Sequence, residues 1–236
     1  ILQFGDIDLT IIDTEIYSNS SGNYGGGVYI WQTNASTIIE NSLFSSNYAS
    51  RDGGAIAGTN ENDLKITNST FTNNSSDENG GAIALRESEL SFIHNTVINN
   101  SSDNGNDIWA VSNSQINFTN NIIAGNCDTS DSTLYSLGGN IESPGDTCSI
   151  GLGGNDIVGL HPRFLGLNTT LGDYGGPTQT HIINQAYSPA IGNAVVLSDI
   201  TTDQRYFVRD NEPDSGATEQ YPHDIDLIFR NKFETL

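Results

Sequence analysis

Five times within the first 126 residues an apolar side chain is followed three positions later by asparagine: Ile16 with Asn19, Phe44 with Asn47, Phe71 with Asn74, Val97 with Asn100 and Ile123 with Asn126. The asparagines recur at intervals of 28, 27, 26 and 26 residues. No other property constrains the fold as much, because a unit this short cannot bury its apolar face alone and must stack on copies of itself.

Other positions keep step. Five residues before each apolar anchor stand Ile11, Ile39, Ile66, Phe92 and Phe118, and two earlier again stand Leu9, Thr37, Leu64, Leu90 and Ile116. This alternation with period two predicts a short strand with one buried side in each unit. A second polar row, Asp13, Asn41, Asn68, His94 and Asn120, lies three residues before the anchors. A third strand opens on glycine at Gly25-Gly26-Gly27-Val28, Gly53-Gly54-Ala55-Ile56 and Gly80-Gly81-Ala82-Ile83. No long window carries the 3.6-residue period, and Asn, Ser, Thr and Gly are poor helix formers. The expected fold is therefore an all-β parallel β-solenoid. Its coils stack at about 4.8 Å, so five of them give roughly 24 Å of axis. Apolar ladders form its interior, and the two asparagine-rich rows (Asn19, Asn47, Asn74, Asn100, Asn126 and Asn41, Asn68, Asn120) bond from coil to coil at the bends.

The run Ile66-Thr67-Asn68-Ser69-Thr70-Phe71-Thr72-Asn73-Asn74 with Gly80-Gly81-Ala82-Ile83 resembles the repeats of polymorphic outer-membrane-protein-type surface proteins, which are right-handed parallel β-helices. That resemblance covers residues 8 to 126. Beyond it the spacing becomes irregular. Ser136-Leu137-Gly138-Gly139-Asn140-Ile141, Asp173 to His181, Ser188-Pro189-Ala190-Ile191 and Asp203-Gln204-Arg205 are similar to the choice-of-anchor Q type of secreted bacterial β-helix protein. His161 and Gly192 stand where that pattern usually has Asp. The chain thus divides into regular coils (1–126), irregular coils that close the C-terminal end (127–222) and an apolar, β-prone tail (223–236).

Composition narrows the function. The chain has 236 residues with 29 Asp+Glu against 8 Lys+Arg, a net charge of −21 that excludes phosphate-rich nucleic acid and anionic membrane surfaces as partners. No stretch reaches the roughly 20 apolar residues of a membrane helix. Ile1 opens a chain without methionine, which reads as processed or trimmed. Cys127 and Cys148 are expected to form a disulfide, and with it the chain is placed outside the cell or on its surface.

Parallel β-helices include polysaccharide lyases and glycoside hydrolases, so catalysis is weighed as the alternative. Asp77 and Asp103, each in a Ser-Ser-Asp run, are the best-aligned carboxylate pair, with Asp52 and Asp128 in neighbouring loops. Their setting also describes a solvated turn. The bases Arg51, Lys65, Arg86 and His94 share no ladder position, and His94 and His181 read as structural. No cofactor is called for, although Asp52, Asp77 and Asp103 are candidate calcium ligands. Strand alternation turns Val28 and Ile30 inward and Tyr29, Trp31 and Trp109 outward, with Ala57 and Ala84 in the same row leaving a gap between rings. These aromatics are candidate contacts for a glycan or a protein. The leading expectation is a non-enzymatic extracellular β-solenoid, structural or adhesive. Its first coil and the tail residues Ile225, Leu227, Phe229 and Phe233 suit end-to-end self-association into a fibre.

Overall fold

A computed structural model describes residues 1–33, 35–61, 63–104, 106–151 and 154–221. The tail residues Ile225, Leu227, Phe229 and Phe233 lie outside the described residues. The first four coils each contribute one strand to each of four parallel sheets, called A to D in the order the chain meets them, and the last two contribute to A, B and C alone among the described residues. Sheet A consists of Leu2–Phe4, Val28–Thr33, Ile56–Glu61, Ile83–Arg86, Ile108–Val111 and Cys127–Asp128. Sheet B consists of Leu9–Ile12, Thr37–Glu40, Leu64–Thr67, Glu89–Ile93, Gln115–Thr119 and Thr133–Ser136. The anchors lie in sheet C, made of Glu15–Tyr17, Leu43–Ser45, Thr70–Thr72, Thr96–Ile98, Ile122–Ala124 and Ile141–Glu142. Sheet D has four two-residue strands, Ser20–Ser21, Tyr48–Ala49, Ser75–Ser76 and Ser101–Ser102, which follow the ladder asparagines and were not expected from the sequence.

The expected register holds. Ile11, Ile39, Ile66, Phe92 and Phe118 are successive partners in sheet B, and all are buried. Phe44 stacks on Phe71 with centroids 5.0 Å apart, Phe71 meets Phe92 at 5.9 Å and Phe92 meets Phe118 at 6.1 Å, which makes an aromatic spine inside the coils. Gly54 is obligatory at its corner, because a Cβ there would overlap the carbonyl oxygen of Gly81 in the next coil.

The asparagine ladder runs through Asn19, Asn47, Asn74 and Asn100. Each inner amide oxygen accepts from the previous coil's backbone N–H and side-chain amide at 2.9 to 3.1 Å. Asn126 does not extend it. After Asn126 the chain passes directly into the sheet A strand at Cys127, without a sheet D strand, and Asn126 is exposed. The carboxylate of Asp107 stands in its place, over the Cα of Gly125, and accepts from the Asn126 backbone N–H at 3.0 Å. Burial pushes the Asp107 carboxyl up to about 6, against the hydrogen bond from Asn126.

The second row keeps a coil-to-coil bond between Asn120 Nδ2 and His94 Nε2 at 2.8 Å and otherwise differs from expectation. Asp13, Asn41, Asn68, His94 and Asn120 all have φ between 48° and 58°, so each turns a left-handed bend and its side chain leaves the interior. The internal ladder runs one residue later. The N–H groups of Thr14, Ser42, Ser69, Asn95, Asn121 and Asn140 bond in turn to the side chains of Ser42, Ser69, Asn95, Asn121, Asn140 and Asp156 at 2.8 to 3.2 Å.

The second half departs furthest. Residues 127–142 add a last set of strands in sheets A, B and C, and Cys127 and Cys148 are disulfide-bonded within the core. Residues 165–221 do not stack as irregular coils. They fold back as a strap across the outer side of sheet C. At one end Val195 N–H and Gly216 N–H bond to Asn120, and at the other Gln179 N–H bonds to Glu15 at 2.8 Å. The strap buries the apolar outward residues Ile122 and Ile141 of sheet C against Leu165, Ile183 and Ala190, and the outward Thr70, Thr72 and Thr96 bond to it. No helix among the described residues is long and apolar enough to cross a membrane.

Candidate functional site

On the outer side of sheet A, the register Tyr29–Ala57–Ala84–Trp109 places two rings at the ends of a two-alanine floor. The result is a hollow of about 130 Å³ lined by Tyr24, Tyr29, Asp52, Ala57, Ala84, Arg86 and Trp109, with Gly58, Thr59 and Leu85 completing it. The floor is sealed, since Ala57 and Ala84 are each only 3% exposed. Tyr24, from the turn before the sheet A strand, packs on Tyr29 with centroids 5.4 Å apart. Arg51 lies 5.1 Å over the Tyr24 ring and also bonds Glu78 at 3.3 Å. At the opposite wall the Arg86 guanidinium lies 5.1 Å over the Trp109 ring. Asp52 is buried at one corner of the hollow, where its Oδ1 accepts from Asn79 Nδ2 at 2.9 Å.

The hollow combines stacking faces, a carboxylate acceptor and a guanidinium donor. Of the three aromatics singled out in the sequence, Tyr29 and Trp109 form its walls. Trp31 does not line it: it stacks on Tyr29 at 6.4 Å and packs against Phe4 at 5.3 Å. Tyr24, Asp52 and Arg86 were not assigned to this place from the sequence. Tyr24 and Asp52 sit in turns of variable length, where alternation gives no direction, although the Gly25–Asp52 backbone bond shows that they face each other on adjacent coils.

The acidic candidates do not converge. Asp77 and Asp103 stand exposed on consecutive coils beside the paired Ser76 and Ser102, side by side on an open flank instead of on opposite sides of a cleft. Tyr48 donates to Asp77 at 2.6 Å. Asp52 belongs to a different corner, with Asn79 as its neighbour in the next coil, so Asp52, Asp77 and Asp103 do not make one calcium site. Among the described residues no three His, Cys, Asp or Glu side chains gather as metal ligands.

The conspicuous polar motifs of the second half clasp the strap. Arg205 holds Asp203 through Nε and Nη2 at 3.0 and 2.9 Å, and Arg209 holds Glu219 at 3.2 Å and Asn68 at 3.1 Å, all buried. Gln204 joins Thr70, Thr178 and Thr180. His181 bridges the Asn168 carbonyl and Thr72. Burial lowers the His181 ring below its usual range and drives His94 well below it, with Arg209 adding to the effect on His94. Burial and then Glu219 push the Asp214 carboxyl up to about 7. The charged groups most perturbed in the strap therefore hold the scaffold together and do not face the hollow.

Comparison with curated proteins and with solved structures finds no match. Residues 1–145 match the family model described as the right handed beta helix region. The match spans more than half the chain and coincides with the stacked coils, so the chain belongs to the right-handed β-helix family.

Proposed function

We propose that the chain is a non-enzymatic extracellular adhesive β-solenoid that holds a glycan in the hollow on sheet A. The observation that carries this is the pair of rings, Tyr29 and Trp109, at the two ends of the alanine floor. Aromatic rings stack on the apolar faces of sugars, and a rigid coil keeps them at fixed separation without a folding cost at binding. The dispersal of Asp77, Asp103 and Asp52 supports a binding role over hydrolysis, which needs two carboxylates flanking one bond. The disulfide and the resemblance to secreted surface proteins support an extracellular setting.

Retention of the protein on immobilised glycans, together with assays for new reducing ends and unsaturated sugars, tests this reading. Glycans should retain the protein with no product formed, and Trp109→Ala should abolish retention. Product release from any glycan would overturn it.

A further inference from the structure

Arg86 is one of two exposed arginines, with Arg163, that lie over an aromatic ring and hold no carboxylate among the described residues, and it is the one of the two that lines the sheet A hollow. Among 29 acidic residues, Arg51, Arg205 and Arg209 each hold a carboxylate. Arg86 is exposed and holds none among the described residues; its guanidinium lies over Trp109 at the mouth of the hollow. A guanidinium in that position offers a fork of donors shaped for a carboxylate. Asp52, at the other end, offers an acceptor for hydroxyls.

The walls set the size of the guest. Tyr29 and Trp109 are three coil steps apart, about 14 Å between backbones, and the two-alanine floor between them is long enough for one sugar ring. The net charge of −21 sets a further limit. A long polyanion laid along this surface is repelled over its whole length, whereas a single negative charge at Arg86 is screened from the remaining acids beyond about 8 Å at physiological salt.

We propose that the sheet A hollow takes a terminal acidic sugar, a pyranose bearing one carboxylate, with the carboxylate on Arg86, hydroxyls on Asp52 and the ring between Tyr29 and Trp109. This rests on the adhesive reading of the same hollow. In the Trp31→Phe background Trp109 is the only tryptophan, so its fluorescence reports occupancy directly. Titrations would use a methyl glucuronide and a methyl sialoside, which separate the two common sources of such a sugar, alongside neutral methyl glucoside and polygalacturonate. One or both acidic monosaccharides should shift the emission, with Arg86→Gln weakening binding about ten- to a hundredfold. Methyl glucoside should bind no better to the parent than to Arg86→Gln. Equal affinity for neutral and acidic sugars, unchanged by Arg86→Gln, would overturn the acidic specificity and leave the adhesive reading standing. Polygalacturonate binding more tightly per sugar than the monosaccharides would overturn the preference for a terminal residue. No response to any sugar, with the fold intact by circular dichroism, would overturn both.

Discussion

The asparagine ladder can be tested at its centre. The Asn74 amide oxygen accepts from the backbone N–H and side-chain amide of Asn47 at 3.0 and 2.9 Å, and its nitrogen donates to the Phe44 carbonyl and to Asn100 Oδ1, both at 2.9 Å. Asn74→Ala removes four bonds inside a dry wall. Two orphaned donors cost about 1–3 kcal/mol each, while the two acceptors lose less because oxygen keeps a second lone pair for other partners. The expected loss is about 3–5 kcal/mol. Asn19→Ala is the control, because Asn19 is exposed at the end of the ladder and its side chain only donates, to Asn47 and to the Tyr17 carbonyl, so its loss should stay below about 1 kcal/mol. Urea unfolding reads both. For a slope of about 2–3 kcal/mol/M, Asn74→Ala should move the midpoint down by roughly 1–2 M and Asn19→Ala should barely move it. If Asn74→Ala unfolds at the midpoint of Asn19→Ala, the ladder is decoration and the argument that it closes the bends fails.

Two buried titratable groups, Asp214 in the strap and His94 in the bend beneath it, make opposed contributions to acid stability. Asp214 has a raised folded pKa, so its contribution is complete below its unfolded value near 3.8 and is lost as pH rises through about 7; Asp214→Asn should therefore flatten a fall in thermal midpoint between about pH 4 and 7. His94 is shifted the other way, so its contribution is complete above about 6.5 and is lost as pH falls; His94→Asn should keep more of its own stability than the parent below pH 6. Reduction of Cys127–Cys148 opens a loop spanning 21 residues and should cost about 3 kcal/mol, seen as a lower urea midpoint in dithiothreitol that a Cys127→Ala, Cys148→Ala double variant reproduces without reductant.

The coils were legible because each coil repeats the same requirement. An inward apolar residue at a fixed step from a bend recurs five times, and the spacing alone fixes which residues become neighbours. The ladder at Ser42, Ser69, Asn95 and Asn121 was harder to see because serine and asparagine do one job there, accepting from an N–H, through different atoms. Asn126 was misplaced for a local reason: the spacing persists while the loop after it loses the sheet D strand, and Asp107 takes over from another sheet. The strap has no period at all. Its order comes from pairing with sheet C, as at Thr180 with Thr70 and Arg209 with Asn68, over more than 100 residues of sequence, and a single chain carries no signal of such pairs. The hollow was half legible. Alternation gave Tyr29, Trp109 and the alanine floor, whereas Tyr24 and Asp52 come from turns and Arg86 is placed only by its packing over Trp109.

The strap and the hollow are linked by the way a solenoid uses its sides. Stacking satisfies the backbone along the axis and leaves the outward rows of each sheet to be covered or exposed. Sheet C is covered: its outward threonines and the bends at Asn41, Asn68 and Asn120 all bond to the strap, so this side is closed to partners and fixed in register by many directional bonds. Sheet A keeps its outward row open, and there the substitutions between coils are not neutral, with large rings on the second and fifth sheet A strands and only methyl groups between. A row selected only for solubility would carry polar side chains, as the sheet B row does at Lys65, Ser91 and Asn117. Two alanines between a tyrosine and a tryptophan instead leave a sealed apolar floor on a chain of net charge −21, with an arginine at its edge that holds no carboxylate among the described residues. Small floor, flanking rings and an exposed guanidinium each weaken the case for an inert wall, and together they are what recognition of a single charged ring requires.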